Sequence, residues 1–94
     1  MLTRVVKMHF RPEFVADFKL LFQNVQEKIA GFEGCASVQL LQDSAHPEIF
    51  FTISQWQSHA ALENYRHSEL FKNTWALVKP NFQHKAEAWS LLVP

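Results

Sequence analysis

The sequence predicts an α+β fold in the order strand, helix, strand, strand, bent helix, strand, with both helices on one face of an antiparallel sheet. Three observations predict it. Segment 2–10 alternates, so Arg4, Val6, Met8 and Phe10 share one face and Thr3, Val5, Lys7 and His9 the other. Phe14, Phe18, Leu21, Phe22, Val25 and Ile29 fall on a single helical stripe. Two further strand-like runs joined by "SAHP" are then followed by a second helical stretch and a last strand, so the two halves repeat one order.

Taken in order, segment 2–10 is the first strand. Arg11 precedes Pro12, and proline suits the first position of a helix, so the helix is expected to run from Pro12. Glu13 and Asp17 lie near its positive end and Lys28 near its negative end. Gly31 is the expected stop. "CASVQLLQD" (35–43) and "EIFFTISQW" (48–56) read as strands two and three, and their short link implies an antiparallel hairpin. Ser58 is placed to cap the next helix, whose apolar positions are Ala61, Leu62 and Tyr65, then Phe71, Trp75 and Val78. That pattern stutters at His67 and Ser68, and Ser68-Glu69 reads as a fresh N-cap. Two helical pieces with a bend are therefore expected, ended by Lys79-Pro80. "FQHKAEAWSLLV" (82–93) reads as a long final strand.

This is the ferredoxin-like order, in one domain over residues 1–94. Phe50 and Phe51 point to opposite faces, as do Leu91 and Leu92. A sheet apolar on both sides needs a second cover, and the simplest is another copy of the same sheet.

Composition narrows the function classes. The chain is 48% apolar with nine Phe and three Trp, too hydrophobic for disorder. Nine basic and nine acidic residues cancel, leaving no basic stripe to follow a phosphate backbone, so nucleic acid is not an expected partner. No apolar run approaches a membrane span, and no membrane partner is expected. The alternating start "MLTRVVKMHF" is not a signal-peptide core, and the lone Cys35 excludes an internal disulfide. Both favour a cytoplasmic setting. No His, Cys, Asp or Glu cluster has metal spacing, so no metal is expected, and with only Gly31 and Gly34 no glycine loop could cradle a phosphate. His59 and His67 lie roughly 12 Å apart along a helix, too far to share one ion.

The chemistry-bearing stretch is "QWQSHAALENYRHSELF" (55–71). It places a tryptophan, a tyrosine and two histidines around one strand-to-helix junction. Trp56 and Trp75 are either core or pocket wall, and Tyr65 either packs in the core or offers its hydroxyl to a ligand. His67 lies at the expected bend. His9 is a candidate base if its strand face is the one the helices cover, and a dimer-interface or rim residue if not.

This stretch resembles the antibiotic biosynthesis monooxygenase family of the dimeric α/β-barrel superfamily. A strand-ending Trp56, then Ser58, the pair Ala61-Leu62, Tyr65, Ser68 and Phe71 fit its motif, and "KMHFRPEF" and "GFEGC" fit its first half. The resemblance implies a homodimer with sheets packed face to face, forming a dimeric α/β barrel. It also implies a pocket in each subunit between sheet and helices. Several members oxidise quinols or polyphenols with dioxygen and no cofactor. The haem-degrading branch has a histidine where this chain has Trp75, a tryptophan at Tyr65 and an asparagine at Val5, so haem degradation is not the expected activity. The quinol-oxidising branch often has a histidine where Tyr65 stands. On this reading the partners are a small hydroxyaromatic molecule and dioxygen. His9, His67 and Tyr65 are the catalytic candidates, and Trp56, Phe14, Phe18, Phe71 and Trp75 the substrate-binding ones. The alternative is a non-catalytic small-molecule-binding or stress-responsive dimer of the same fold.

Overall fold

A computed structural model describes residues 1–94. Strand β1 (Leu2–Phe10) leads through a 3-10 turn at Pro12–Phe14 into helix α1 (Val15–Ala30). Strands β2 (Cys35–Gln42) and β3 (Ile49–Trp56) follow, then helices α2 (His59–Arg66) and α3 (Glu69–Val78). A second 3-10 turn, Lys79–Asn81, feeds strand β4 (Phe82–Leu91). The sheet order is β2-β3-β1-β4, with every pairing antiparallel. The expected ferredoxin-like α+β fold is therefore present, with β1 and β3 at the centre. No helix is long and apolar enough to cross a membrane.

The helices cover the even-numbered face of the central strands. Leu2, Met8 and Phe10 of β1 and Phe50, Ser54 and Trp56 of β3 are buried there against Phe18, Phe22, Val25 and Ile29 of α1, Leu62 of α2 and Val78 of α3. Phe10 is the hub, with ring centroids 4.4 Å from Phe18, 5.2 Å from Phe14 and 5.2 Å from Phe82.

The bend is where the serines put it. Ser58 Oγ accepts from the Ala61 amide at 3.1 Å to start α2, and Ser68 Oγ accepts from the Phe71 amide at 3.1 Å to start α3. Two local expectations shift, and Gly31 stops α1 as expected. The turn after Pro12 is 3-10, closed by the Phe14 amide on the Arg11 carbonyl at 3.0 Å, and the α-helix begins only at Val15. Gly31 caps α1 with right-handed backbone (φ −85°); the left-handed residue is Gly34 at φ 86°. β4 ends at Leu91, whose pairing with Thr3 is the last between β4 and β1, so Leu92 and Val93 lie outside the strand.

The odd-numbered sheet face has no cover within the chain. Val5 lies between Ile53 and Trp89, and Lys7 between Phe51 and Glu87. Leu41, Trp89 and Leu91 are 42%, 41% and 49% exposed.

Candidate functional site

Between the helices and the even sheet face lies a cavity of about 330 Å³, a volume suited to a small ligand. Its wall is mostly aromatic and follows from the strand-to-helix junction. Trp56 ends β3 with its ring completely buried, and its indole N–H donates to Ser54 Oγ at 2.9 Å. Ser58 starts the next helix so soon afterwards that Tyr65 must fold back over the strand end. The Tyr65 ring stacks on Trp56 at 5.0 Å with an interplanar angle of 26°. Phe71 meets Tyr65 edge-on at 5.3 Å and stacks on Trp75 at 5.8 Å. Trp56, Tyr65, Phe71, Trp75 and Phe18 all line the cavity.

Phe14 does not line it. The 3-10 turn sets Phe14 against Phe10 and Phe18, at 5.2 Å and 6.4 Å, as support behind the wall. The Tyr65 hydroxyl makes no hydrogen bond within the chain, although the ring is half-buried. Burial first, and the Cys35 sulfur second, push its pKa up to about 12. At neutral pH it is a neutral hydroxyl able to donate or accept, and it is not a base.

Neither candidate histidine borders the cavity. His9 is on the odd face of β1, with the whole sheet between it and the helices. It stacks on His84 at 4.5 Å, and its Nε2 lies 3.8 Å from Glu48 Oε1. His67 follows the last turn of α2 with its side chain 75% exposed. Its Nδ1 lies 2.8 Å from the Glu63 carbonyl, which can only accept, so that nitrogen carries a proton and caps the helix end. His67 thus serves the bend and not the pocket. Cys35 donates to the Ser37 carbonyl at 3.5 Å, and burial pushes its thiol pKa up, the opposite of activation. No group of three metal-ligating side chains comes together anywhere in the chain.

Two basic residues of the cavity were not singled out from the sequence as site residues. Arg4 reaches the cavity from β1, where it pairs in register with Ser54, and Arg66 reaches it from the end of α2. Arg4 Nη1 donates to Ser90 Oγ at 2.9 Å, and Arg66 Nη1 to Glu63 Oε1 at 2.8 Å. The signal for Arg4 was its place on the face of Val6, Met8 and Phe10, where a charge is out of pattern. Arg66 carried no such signal beyond following Tyr65.

A four-stranded antiparallel sheet covered on one face by helices, with an aromatic-lined cavity between the layers, defines a ferredoxin-like α+β protein. The family model for antibiotic biosynthesis monooxygenases matches residues 1–77, and the chain belongs to that family. Solved structures share the fold. A crystal structure of an antibiotic biosynthesis monooxygenase is 23% identical, with all of both chains covered and a TM-score of 0.93. A conserved protein from Methanosarcina mazei Go1 is 26% identical over 97% of this chain and 91% of that one, with a TM-score of 0.89. Rv0793 from Mycobacterium tuberculosis is 17% identical over 99% and 94%, with a TM-score of 0.90. No curated protein matches the chain in sequence.

Proposed function

We propose that the protein is a monooxygenase that oxidises a small hydroxyaromatic or quinol-type compound with dioxygen in the cavity between sheet and helices. The observation that carries this reading is the cavity itself, walled by the Trp56–Tyr65 stack and the Phe71–Trp75 stack. Flat aromatic walls favour a flat aromatic ligand, and an apolar enclosure shields a reactive intermediate from water. For a phenolic substrate the reaction balances simply. One oxygen atom enters the ring as a second carbonyl, and the other leaves as water, with one hydrogen from the phenol O–H and one from the ring C–H.

In this reading Trp56, Phe71 and Trp75 fix the plane of the ring, and Tyr65 offers the hydroxyl that orients a substrate oxygen. His9 and His67 take no part, because neither reaches the cavity. A second reading, a binding module without catalysis, is favoured by one observation: the cavity wall holds no histidine, and its only carboxylate-bearing residue is Glu87. The open face supports the further proposal that two copies pair sheet to sheet.

Oxygen uptake measured against a panel of naphthols and naphthoquinols tests both readings. Uptake matched by quinone formation, and strongly reduced in Trp75→Ala, supports the enzyme. Quenching of tryptophan fluorescence by the same compounds without oxygen uptake supports the binding module. If the compounds are neither bound nor oxidised, both readings fail.

A further inference from the structure

We infer that Arg4 and Arg66 form an anion-binding end of the cavity, so that the ligand is a planar aromatic molecule carrying a negatively charged oxygen, a carboxylate or an ionised ring hydroxyl. The inference deepens the aromatic-cavity reading and rests on it.

Arg4 and Arg66 come from opposite layers, one from the sheet and one from α2, and converge on one cavity. Both stand beside the Trp56–Tyr65 stack. Arg4 is the register partner of Ser54, the residue that accepts the Trp56 indole bond, and Arg66 directly follows Tyr65. The two cations are not equally compensated. Arg66 is paired with Glu63 at 2.8 Å. Arg4 forms no ion pair, and its one side-chain hydrogen bond goes to the neutral Ser90 hydroxyl at 2.9 Å. A guanidinium has five N–H donors in a fixed fork, so most of those on Arg4 remain free for a planar, two-oxygen partner.

The electrostatics agree with that count. Burial, and then the charge of Arg66, push the Arg4 pKa down, and only the weaker influence of Glu63 opposes them. An arginine held half-buried beside a second arginine, without a carboxylate of its own, leaves the site short of negative charge. An anionic ligand supplies it. Glu87, the only acidic lining residue, is in register with Lys7, whose side chain is on the odd sheet face. Paired residues across a ladder share a face, so the Glu87 carboxylate is directed away from the two arginines.

The arrangement also supplies what the histidines do not. Beside two guanidinium groups an acidic hydroxyaromatic ligand favours its ionised form. That ionised form is the electron-rich one that reacts with dioxygen. No side chain in the cavity then has to hold the proton.

The test compares isosteric probes by tryptophan fluorescence and calorimetry at low salt: naphthoate against naphthamide, with a hydroxynaphthoquinone ionised at neutral pH as a third arm. Naphthoate should bind about tenfold or more tightly than naphthamide, the difference expected of a charge-assisted pair. In Arg4→Gln that preference should shrink to about twofold, with naphthamide affinity unchanged. Glu63→Gln removes the opposing charge and should strengthen naphthoate binding, which a merely structural role for Glu63 would not do. Tight binding of naphthoate alone identifies a carboxylate ligand, and of the hydroxynaphthoquinone alone an ionised hydroxyl. If Arg4→Gln does not fold, Arg66→Gln, at an exposed helix end, carries the same comparison. Equal affinity for naphthoate and naphthamide, or a preference that survives both arginine substitutions, overturns the anion site and leaves the aromatic cavity standing. If neither probe binds, the cavity reading fails and the anion site fails with it.

Discussion

Tyr65 is the only tyrosine in the chain, so its ionisation can be followed directly by phenolate absorbance. Burial raises its pKa to about 12, whereas an unfolded tyrosine titrates near 10. The folded state holds the proton more tightly than the unfolded state. The stability linked to Tyr65 is therefore fully present below about pH 10 and is lost as pH rises towards 12. A native protein that titrates near pH 10 would place the hydroxyl in bulk water. Because that hydroxyl has no partner in the chain, Tyr65→Phe should change stability by less than about 0.5 kcal/mol. The affinity of a ligand that bonds to it should fall by about 0.5–1.5 kcal/mol. A drop in melting temperature with unchanged affinity would reverse that assignment. The meeting of Trp56 and Tyr65 was legible in the sequence, because a capping serine so close to a strand end leaves the helix nowhere else to go. The place of His9 was not. Alternation tells which residues share a face, but not which face the helices take. Arg4 was obscured for a related reason: in a periodic pattern one charge among Val6, Met8 and Phe10 counts as a mismatch before it counts as a ligand.

At the scale of elements, the bend between α2 and α3 shapes the cavity, and Ser68 holds the bend from both sides. Its Oγ accepts from the Phe71 amide at 3.1 Å and donates to the Tyr65 carbonyl at 2.6 Å. Losing an N-cap costs about 1 kcal/mol, so Ser58→Ala and Ser68→Ala should destabilise the fold by similar amounts in chemical denaturation. Only Ser68→Ala should also weaken ligand binding, since it frees two cavity-lining residues. Equal effects on binding would mean that the bend does not set the pocket. Gly34 controls the other side of the same helix. It sits at φ 86°, and a methyl group there would lie 2.5 Å from the Ala61 Cβ. Gly34→Ala should cost more than about 1 kcal/mol, and adding Ala61→Gly should recover part of the loss, because it removes the clash but not the backbone strain. "GFEGC" marked the right loop in the sequence but could not say which glycine carries the strain. That depends on how closely α2 passes over the start of β2. The final strand was read two residues too long for a similar reason: its apolar run continues, but its pairing with β1 stops at Thr3↔Leu91.

For the whole molecule the uncovered sheet face is the feature that decides how it behaves in solution. Its centre is a row of Ile53, Val5 and Trp89, flanked by Phe51, Leu41 and Leu91. Polar groups surround it: Gln39 continues the row on β2, Lys7 and Glu87 continue the row of Phe51 towards β4, and at the strand ends Thr3 Oγ1 donates to Gln55 Oε1 at 2.9 Å and His9 stacks on His84. An apolar centre with a polar rim is the anatomy of a protein interface, and a sheet that is apolar on both sides is stable in water only when both are covered. Helix surfaces offer a competing possibility, because Leu20 and Leu77 are 60% and 58% exposed. They stand on separate helices, α1 and α3, and scattered apolar residues are ordinary on any surface. Pairing through the sheet should bury upwards of about 2,000 Å² in total, as obligate dimers do. Sedimentation at micromolar concentration should therefore give the mass of two chains. Trp89→Glu puts a charge at the centre of that face and should shift the species to a monomer that keeps its circular dichroism, because Trp89 contributes nothing to the core beneath the helices. Leu20→Glu and Leu77→Glu should leave the dimer intact. A wild-type monomer would mean that this sheet tolerates water on its apolar side. A dimer broken by the helix substitutions and spared by Trp89→Glu would move the interface to the opposite, helical layer.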